Sequence, residues 1–533
     1  MRTKTSILFA SIFFLLSIFV HAENTTKTFR MRLVADPQTF DWNIATTPME
    51  TYLLMNIMEG LVEFDGGMKL RAALAKSWTV SEDQRTYTFK IRPGVKWSDG
   101  KFLTAHHFAD SWERLLNPLT AAPYAYMLFD IQGAEEYNAR KHTDFSKVGV
   151  RAIDAATLEV RLKRPVGYFL QMLTFWVTFP IRKDLVAQHG TAWTKPGKIV
   201  VLGPFVPTQY QQGNLISLTR NDLYYRGRPK LDEVHLKIVN EDSTALNLFK
   251  TGELDCVLPI NFLELGDLIK SPSYKNVPYF RTSFIGFNTQ KYPTNLPNVR
   301  QAIAMAIDKK NVGKVMHQSK IPANSLVPPS MFPAGQNSGL EFDPNKARKV
   351  FKESGLEPST LPPLELLTYS SDENALLGQY IQDQLKKHLG LKVTLNMPEY
   401  KTFRTQLDLQ TAAMHYRPWG ADYSDPDTFF GVFTSWSGNN RTGWKNERYD
   451  EIVKIAASIQ NGTERTKLYK EALEILLRKD AAIVPLHYDT LAFLLNPKIK
   501  GFVLNPLNYV YFRDITYRSE ERRVGKECRS RWS

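Results

Sequence analysis

Short strand signals alternate with helical patterns through both halves of the chain, and this succession constrains the fold more than any other feature of the sequence. Phe29 to Val34 reads as a strand and Met49 to Met58 as a helix stopped by Gly60. Residues 85–92 alternate polar and apolar with the period of a half-buried strand, and Pro93-Gly94 turns the chain. Thr104 is placed to cap a helix from Ala105 to about Leu116, with Phe108 and Trp112 on one face, and Leu158 to Leu162 returns as a strand. Ile216 to Arg220 and Val234 to Val239 predict further strands, and Asp242 to Lys250 predicts a helix ending at Gly252. In the second half the spacing predicts helices over 298–311, Lys346 to Ser354, Glu373 to Leu389, Tyr449 to Gln460 and Glu464 to Lys479. Two short apolar strands, Ala482 to Leu486 and Leu491 to Leu495, close the pattern. The fold class is therefore α/β, without internal repeats.

At roughly 150 residues per domain, 533 residues imply three or four folding units. Hydrophobic residues at 43% and charged residues at 23% exclude a disordered or fibrous chain. The net charge is +14, but basic residues are scattered and no nucleic-acid-binding signature is present, so nucleic acid is not the expected partner. Two cysteines, Cys256 and Cys528, supply neither a disulfide framework nor a metal site. GxSxG, HExxH, P-loop, GxGxxG and EF-hand patterns are absent, so no catalytic residue, metal or cofactor is expected. His106 and His107 are adjacent on a helix, point in different directions, and read as ordinary helix residues.

Arg2 and Lys4 precede an apolar run from Ile7 to Val20, and Val20-His21-Ala22 offers small residues at the −3 and −1 positions before Glu23. Residues 1–22 are therefore expected to be a cleavable signal peptide, and no cysteine follows to carry a lipid. The expected location is the periplasm. The tail 518–533 holds almost no apolar residues and is expected to be disordered, either a basic interaction tail or a non-native read-through.

The order of several short strings is more specific than any one of them. Glu59-Gly60-Leu61 is followed by Ala75-Lys76-Ser77-Trp78, Tyr87 to Arg92, Val95-Lys96-Trp97-Ser98-Asp99-Gly100 and Ser111-Trp112. Asn221-Asp222-Leu223-Tyr224-Tyr225, Thr251-Gly252-Glu253-Leu254-Asp255, Val299-Arg300-Gln301-Ala302-Ile303, Trp419 to Pro426 and Ile483-Val484-Pro485-Leu486 continue the series. From about residue 29 to 517 the chain resembles the family-five bacterial solute-binding proteins of ABC transporters, oligopeptide-binding type. The resemblance implies a class II, cluster C periplasmic binding protein: two α/β lobes closing over ligand, plus an inserted domain. The implied division is lobe I over 23–58, 176–280 and 489–517, an inserted domain over 59–175, and lobe III over 281–488. It implies transport rather than catalysis, an oligopeptide ligand, a membrane permease as partner and a monomeric state.

Asp422 lies in an aromatic, glycine-containing loop, and in peptide-binding relatives the aspartate of this Trp-x-x-Asp-Tyr context meets the peptide α-ammonium. Asp425 precedes Pro426 and reads as an N-cap with proline at the first helical position. Trp419 and Tyr124 match aromatic contacts of the relatives, while Tyr400, Phe284, Arg417 and Tyr488 occupy or adjoin positions flanking the ligand. Leu407 and Asn374 stand where relatives place the arginine and histidine that meet the peptide carboxylate, and Leu258 replaces a tyrosine. The resemblance thus leaves open where a ligand carboxylate is neutralised, and with it the peptide length. Two alternatives accompany this reading: the same fold carrying a dipeptide, cell-wall peptide, nickel complex, haem or oligosaccharide, and an exported hydrolase.

Overall fold

A computed structural model describes residues 26–260, 264–316, 320–460 and 462–518. The expected signal peptide and all but Arg518 of the expected disordered tail lie outside the described residues.

An eleven-stranded mixed sheet runs through the molecule. Its order is Val393–Asn396, Leu364–Leu367, Met414–Gly420, Tyr274–Phe287, Ile483–Leu495, Cys256–Val257, Thr28–Leu33, Glu233–Ile238, Leu215–Arg220 and Phe205–Gln211, with Ile321–Pro322 as a side branch on Ile483–Leu495. The two central strands are long, 14 and 13 residues, and antiparallel. At one end Leu495 pairs with Cys256, and at the other Gly286 pairs with both Ile483 and His415, so these strands join the two halves of the sheet. Register shifts at Pro278/Thr282 and Ser283/Phe284 mark bulges where they cross.

The sequence pattern splits the second of these strands at His487 to Thr490, whereas the structure carries it through. A polar interruption is tolerated because the strand borders a cleft there, and Asp489 meets cations from its neighbours. Similarly, the helix expected over 298–311 is two helices, Pro297–Ala306 and Lys309–Val315, because Asp308 turns out of the first and caps the second by accepting the Lys310 N–H at 3.0 Å.

A four-stranded antiparallel sheet lies within residues 59–175, in the order Ala75–Val80, Thr86–Ile91, Thr157–Arg161 and Val150–Asp154. Phe108 and Trp112 of the helix Ala105–Leu116 are fully buried beneath it, and Trp97 packs with 0% exposure. His107 is more than an ordinary helix residue: its Nδ1 accepts the Thr104 N–H at 3.0 Å and closes the capping box. One continuous core runs from Phe29 and Trp42 of the large sheet's first half to Phe89 and Trp112 of this smaller sheet. The second half has separate cores on the two faces of Tyr274–Phe287, with Ile285 in one and Phe284 in the other. Among the described residues no helix is long and apolar enough to cross a membrane.

Candidate functional site

The two halves of the molecule face one another across a cleft of two adjoining chambers, of about 960 Å³ and about 160 Å³. Pro48, Tyr279 and Asn508 line both. Pro48 and Met49 open the helix Pro48–Ile57, which is held at its start by Glu50 accepting the Thr47 N–H at 2.5 Å.

Asp422 stands in the smaller chamber with Tyr124, Trp176 and Tyr509. Its backbone N–H donates to Thr428 Oγ1 at 3.1 Å, which fixes the loop, and its carboxylate accepts from Tyr126 Oη at 3.4 Å. Among the described residues no cation pairs with it. Burial pushes its pKa up to about 6, opposed by the Tyr126 hydrogen bond. A half-buried carboxylate among aromatic rings, without a positive partner, is suited to receive an ammonium group.

Tyr124 shares this chamber and packs edge-on against Phe175 at 4.9 Å. The other five expected contact residues, Trp419, Arg417, Phe284, Tyr488 and Tyr400, line neither chamber. Strand parity explains four of them. Thr282 pairs with Trp419 and Tyr488, and Phe284 pairs with Arg417, so these side chains share the sheet face opposite to Arg281 and Ser283. Phe284 is 0% exposed, and the Arg417 guanidinium lies 5.4 Å from its ring and 5.8 Å from that of Trp419. Burial brings the Arg417 pKa down to about 9. Tyr400 is exposed on the first turn of Tyr400–Asp408, behind Tyr369, whose ring it meets at 5.5 Å and which does line the larger chamber. Leu407 and Asn374 are buried, and Asn374 donates to the Tyr369 carbonyl at 2.8 Å.

The helix after Asp425 begins at Asp427, with Pro426 rather than Asp425 at its N-cap position, so Asp425 stands one residue before the expected cap. It accepts the Asp427 N–H at 2.9 Å and also binds Arg465 through both carboxylate oxygens, at 2.7 and 2.8 Å, with both side chains buried.

The larger chamber holds a charged group absent from the residues singled out in the sequence. Arg281 Nε reaches Asp489 Oδ2 at 2.7 Å, and Lys320 Nζ reaches Asp489 Oδ1 at 2.7 Å and Glu373 Oε1 at 2.8 Å. Burial alone raises the Asp489 pKa, but Arg281 and Lys320 outweigh it and hold the carboxyl well below the usual range. Glu373, His487 and Asp489 lie within 4.8 Å of one another, yet Lys320 already bridges the two carboxylates. His487 is kept neutral by burial, its pKa pushed down to about 3. The ammonium thus supplies the positive charge that a metal would bring. A charged residue inside a largely apolar strand, as at Asp489 in Ile483–Leu495, is the sequence signal for this group.

Residues 69–441 match the family described as bacterial extracellular solute-binding proteins, family 5, middle region. The chain belongs to this family. A family-five relative, the probable deoxycholate-binding periplasmic protein YgiS of Escherichia coli (strain K12), is 30% identical over 503 residues, covering 92% of this chain and 93% of its own. The periplasmic oligopeptide-binding protein OppA of Salmonella typhimurium (strain LT2) is 31% identical over 484 residues, covering 87% and 88%. Among solved structures, the unliganded open form of the periplasmic murein tripeptide-binding protein MppA superposes with a TM-score of 0.79 at 27% identity, covering 92% of this chain and 98% of that one. The family-five fold is thus the two-lobed α/β arrangement of periplasmic solute-binding proteins, and its members are solute-binding proteins.

Proposed function

We propose that this protein is the periplasmic peptide-binding component of an ABC importer, exported by the signal peptide 1–22. It acts as a monomer, captures oligopeptides between its lobes and delivers them to an inner-membrane permease. The observation that carries this reading is Asp422: a half-buried carboxylate without a cationic partner among the described residues, in a cleft chamber lined by Tyr124 and Trp176. A peptide α-ammonium supplies the missing charge, and the aromatic walls accept side chains without strong selection. OppA and MppA, named for oligopeptide and murein tripeptide binding, support the choice of cargo.

Closure follows from the two long strands. With lobe I over 23–58, 176–280 and 489–517, the inserted domain over 59–175 and lobe III over 281–488, the covalent links between lobes include Tyr274–Phe287 and Ile483–Leu495. The bulges at Pro278/Thr282 and Ser283/Phe284 interrupt the ladder where bending is needed.

YgiS, named for deoxycholate, favours a second reading in which the ligand is an amphipathic carboxylate. Such a ligand brings no ammonium to Asp422. Native mass spectrometry of protein purified mildly from the periplasm separates the two: co-purifying peptides support the first reading, and a sterol-like acid or any ligand without an amine overturns it.

A further inference from the structure

The cleft has a second charged pole that Asp422 does not use. Arg281, Lys320, Asp489 and Glu373 all line the larger chamber, and their formal charges cancel. The two carboxylates differ in how they are held. Asp489 is 3% exposed and is tied to Arg281, Lys320 and Ser283 Oγ, the last at 3.1 Å. Glu373 is 30% exposed, meets this group through Lys320, and stands on the first turn of the Asp372–Leu389 helix, where an acidic side chain is favourable with or without a partner. Arg281 binds Asp489 through Nε, and its guanidinium carbon lies 5.6 Å from the centre of the Tyr279 ring, which lines both chambers.

We infer that Glu373 occupies the place of a ligand carboxylate: a ligand carboxylate entering the larger chamber displaces Glu373 from Lys320 and is held by Lys320 and Arg281, which Asp489 positions. The exchange keeps the chamber's charge compensated, because one carboxylate leaves the ammonium as another arrives. Glu373 moves into solvent that it already touches, whereas Asp489, 3% exposed, is held at once by Arg281, Lys320 and Ser283. A neutral amide or ester does not replace the charge and leaves Glu373 in place. For the identity of the ligand the inference rests on the peptide reading: the α-ammonium then sits at Asp422 and the carboxylate at Lys320 and Arg281, with Tyr279 between them.

The test compares native protein, Glu373→Gln and Lys320→Gln by calorimetry. The probes are short alanine peptides with free or amidated C-termini, and deoxycholate with its methyl ester as a carboxylate pair lacking an ammonium. Glu373→Gln removes the competing charge, so the preference for the free acid over its neutral partner should rise about fivefold. Lys320→Gln should reduce that preference about thirtyfold or more, with thermal melts confirming that the variants fold. An unchanged preference in Glu373→Gln overturns the exchange, as does a free-acid preference that survives in Lys320→Gln. If no alanine peptide binds the native protein, the peptide reading falls and the deoxycholate pair carries the comparison. Failure of both pairs to bind native protein and variants overturns the inference as well.

Discussion

Tyr126 Oη donates a hydrogen bond to Asp422 Oδ2 at 3.4 Å, joining the segment 59–175 to the segment 281–488. The phenol partly satisfies a carboxylate that has no cation among the described residues, and its hydrogen bond lowers the Asp422 pKa against the effect of burial.

Peptide affinity should therefore depend on pH between 7 and 5. Asp422 in the free protein has its pKa raised to about 6, and only its ionised form pairs with an ammonium. Affinity should be fully present above that pKa and weaken as pH falls through it, by about tenfold at pH 5. Tyr126→Phe removes the opposing hydrogen bond and should move the midpoint upward. Asp427, with its pKa raised to about 7 mainly by burial, titrates in the same range, so the profile must be compared with that of Asp422→Asn. Calorimetric titrations across this range check the expectation, and an equal slope in Asp422→Asn would contradict it.

Asp425 should prove a stability residue. Asp425→Asn keeps a cap for the Asp427 N–H but leaves the Arg465 guanidinium buried with its bidentate partner gone. Breaking a buried pair from one side costs about 3–5 kcal/mol. Urea unfolding should show that loss for Asp425→Asn with peptide affinity little changed in the folded protein. A midpoint equal to that of the native protein would show that the pair contributes nothing.

Ligand should shift the protein toward a more closed form, because the long strands Tyr274–Phe287 and Ile483–Leu495 link the two halves and can bend at their register shifts. Small-angle scattering should show a smaller radius of gyration on adding a tight peptide. No compaction at saturating ligand would remove the hinge from the account.

The alternation of strands and helices was legible in the sequence because local periodicity encodes it: Asp372–Leu389 and Ala105–Leu116 lie within a residue of their expected bounds. The family strings likewise pointed to the fold. Sheet parity was not legible. Phe284 and Arg281 lie on one strand, and whether either faces the cleft depends on pairing with Met414–Gly420 and Ile483–Leu495, more than a hundred residues away in sequence. The Arg281, Lys320, Glu373 and Asp489 group is assembled from four separate segments for the same reason. Asp308 and Asp489 show a further limit: a polar residue interrupts an apolar pattern in both, yet it ends a helix in one and lies inside a strand in the other, according to the partners it meets.

The central claim is that Asp422 receives a peptide ammonium. Calorimetry on native protein and Asp422→Asn, each with free and N-acetylated peptide, tests it most directly. Asparagine keeps the shape and removes the charge, so the free peptide should lose about 2–5 kcal/mol, or roughly thirtyfold to several thousandfold in affinity. The acetylated peptide should bind the native protein weakly and be little affected by the substitution. Equal losses for both peptides would contradict the account, because Asp422 would then support its loop while the amine is read elsewhere.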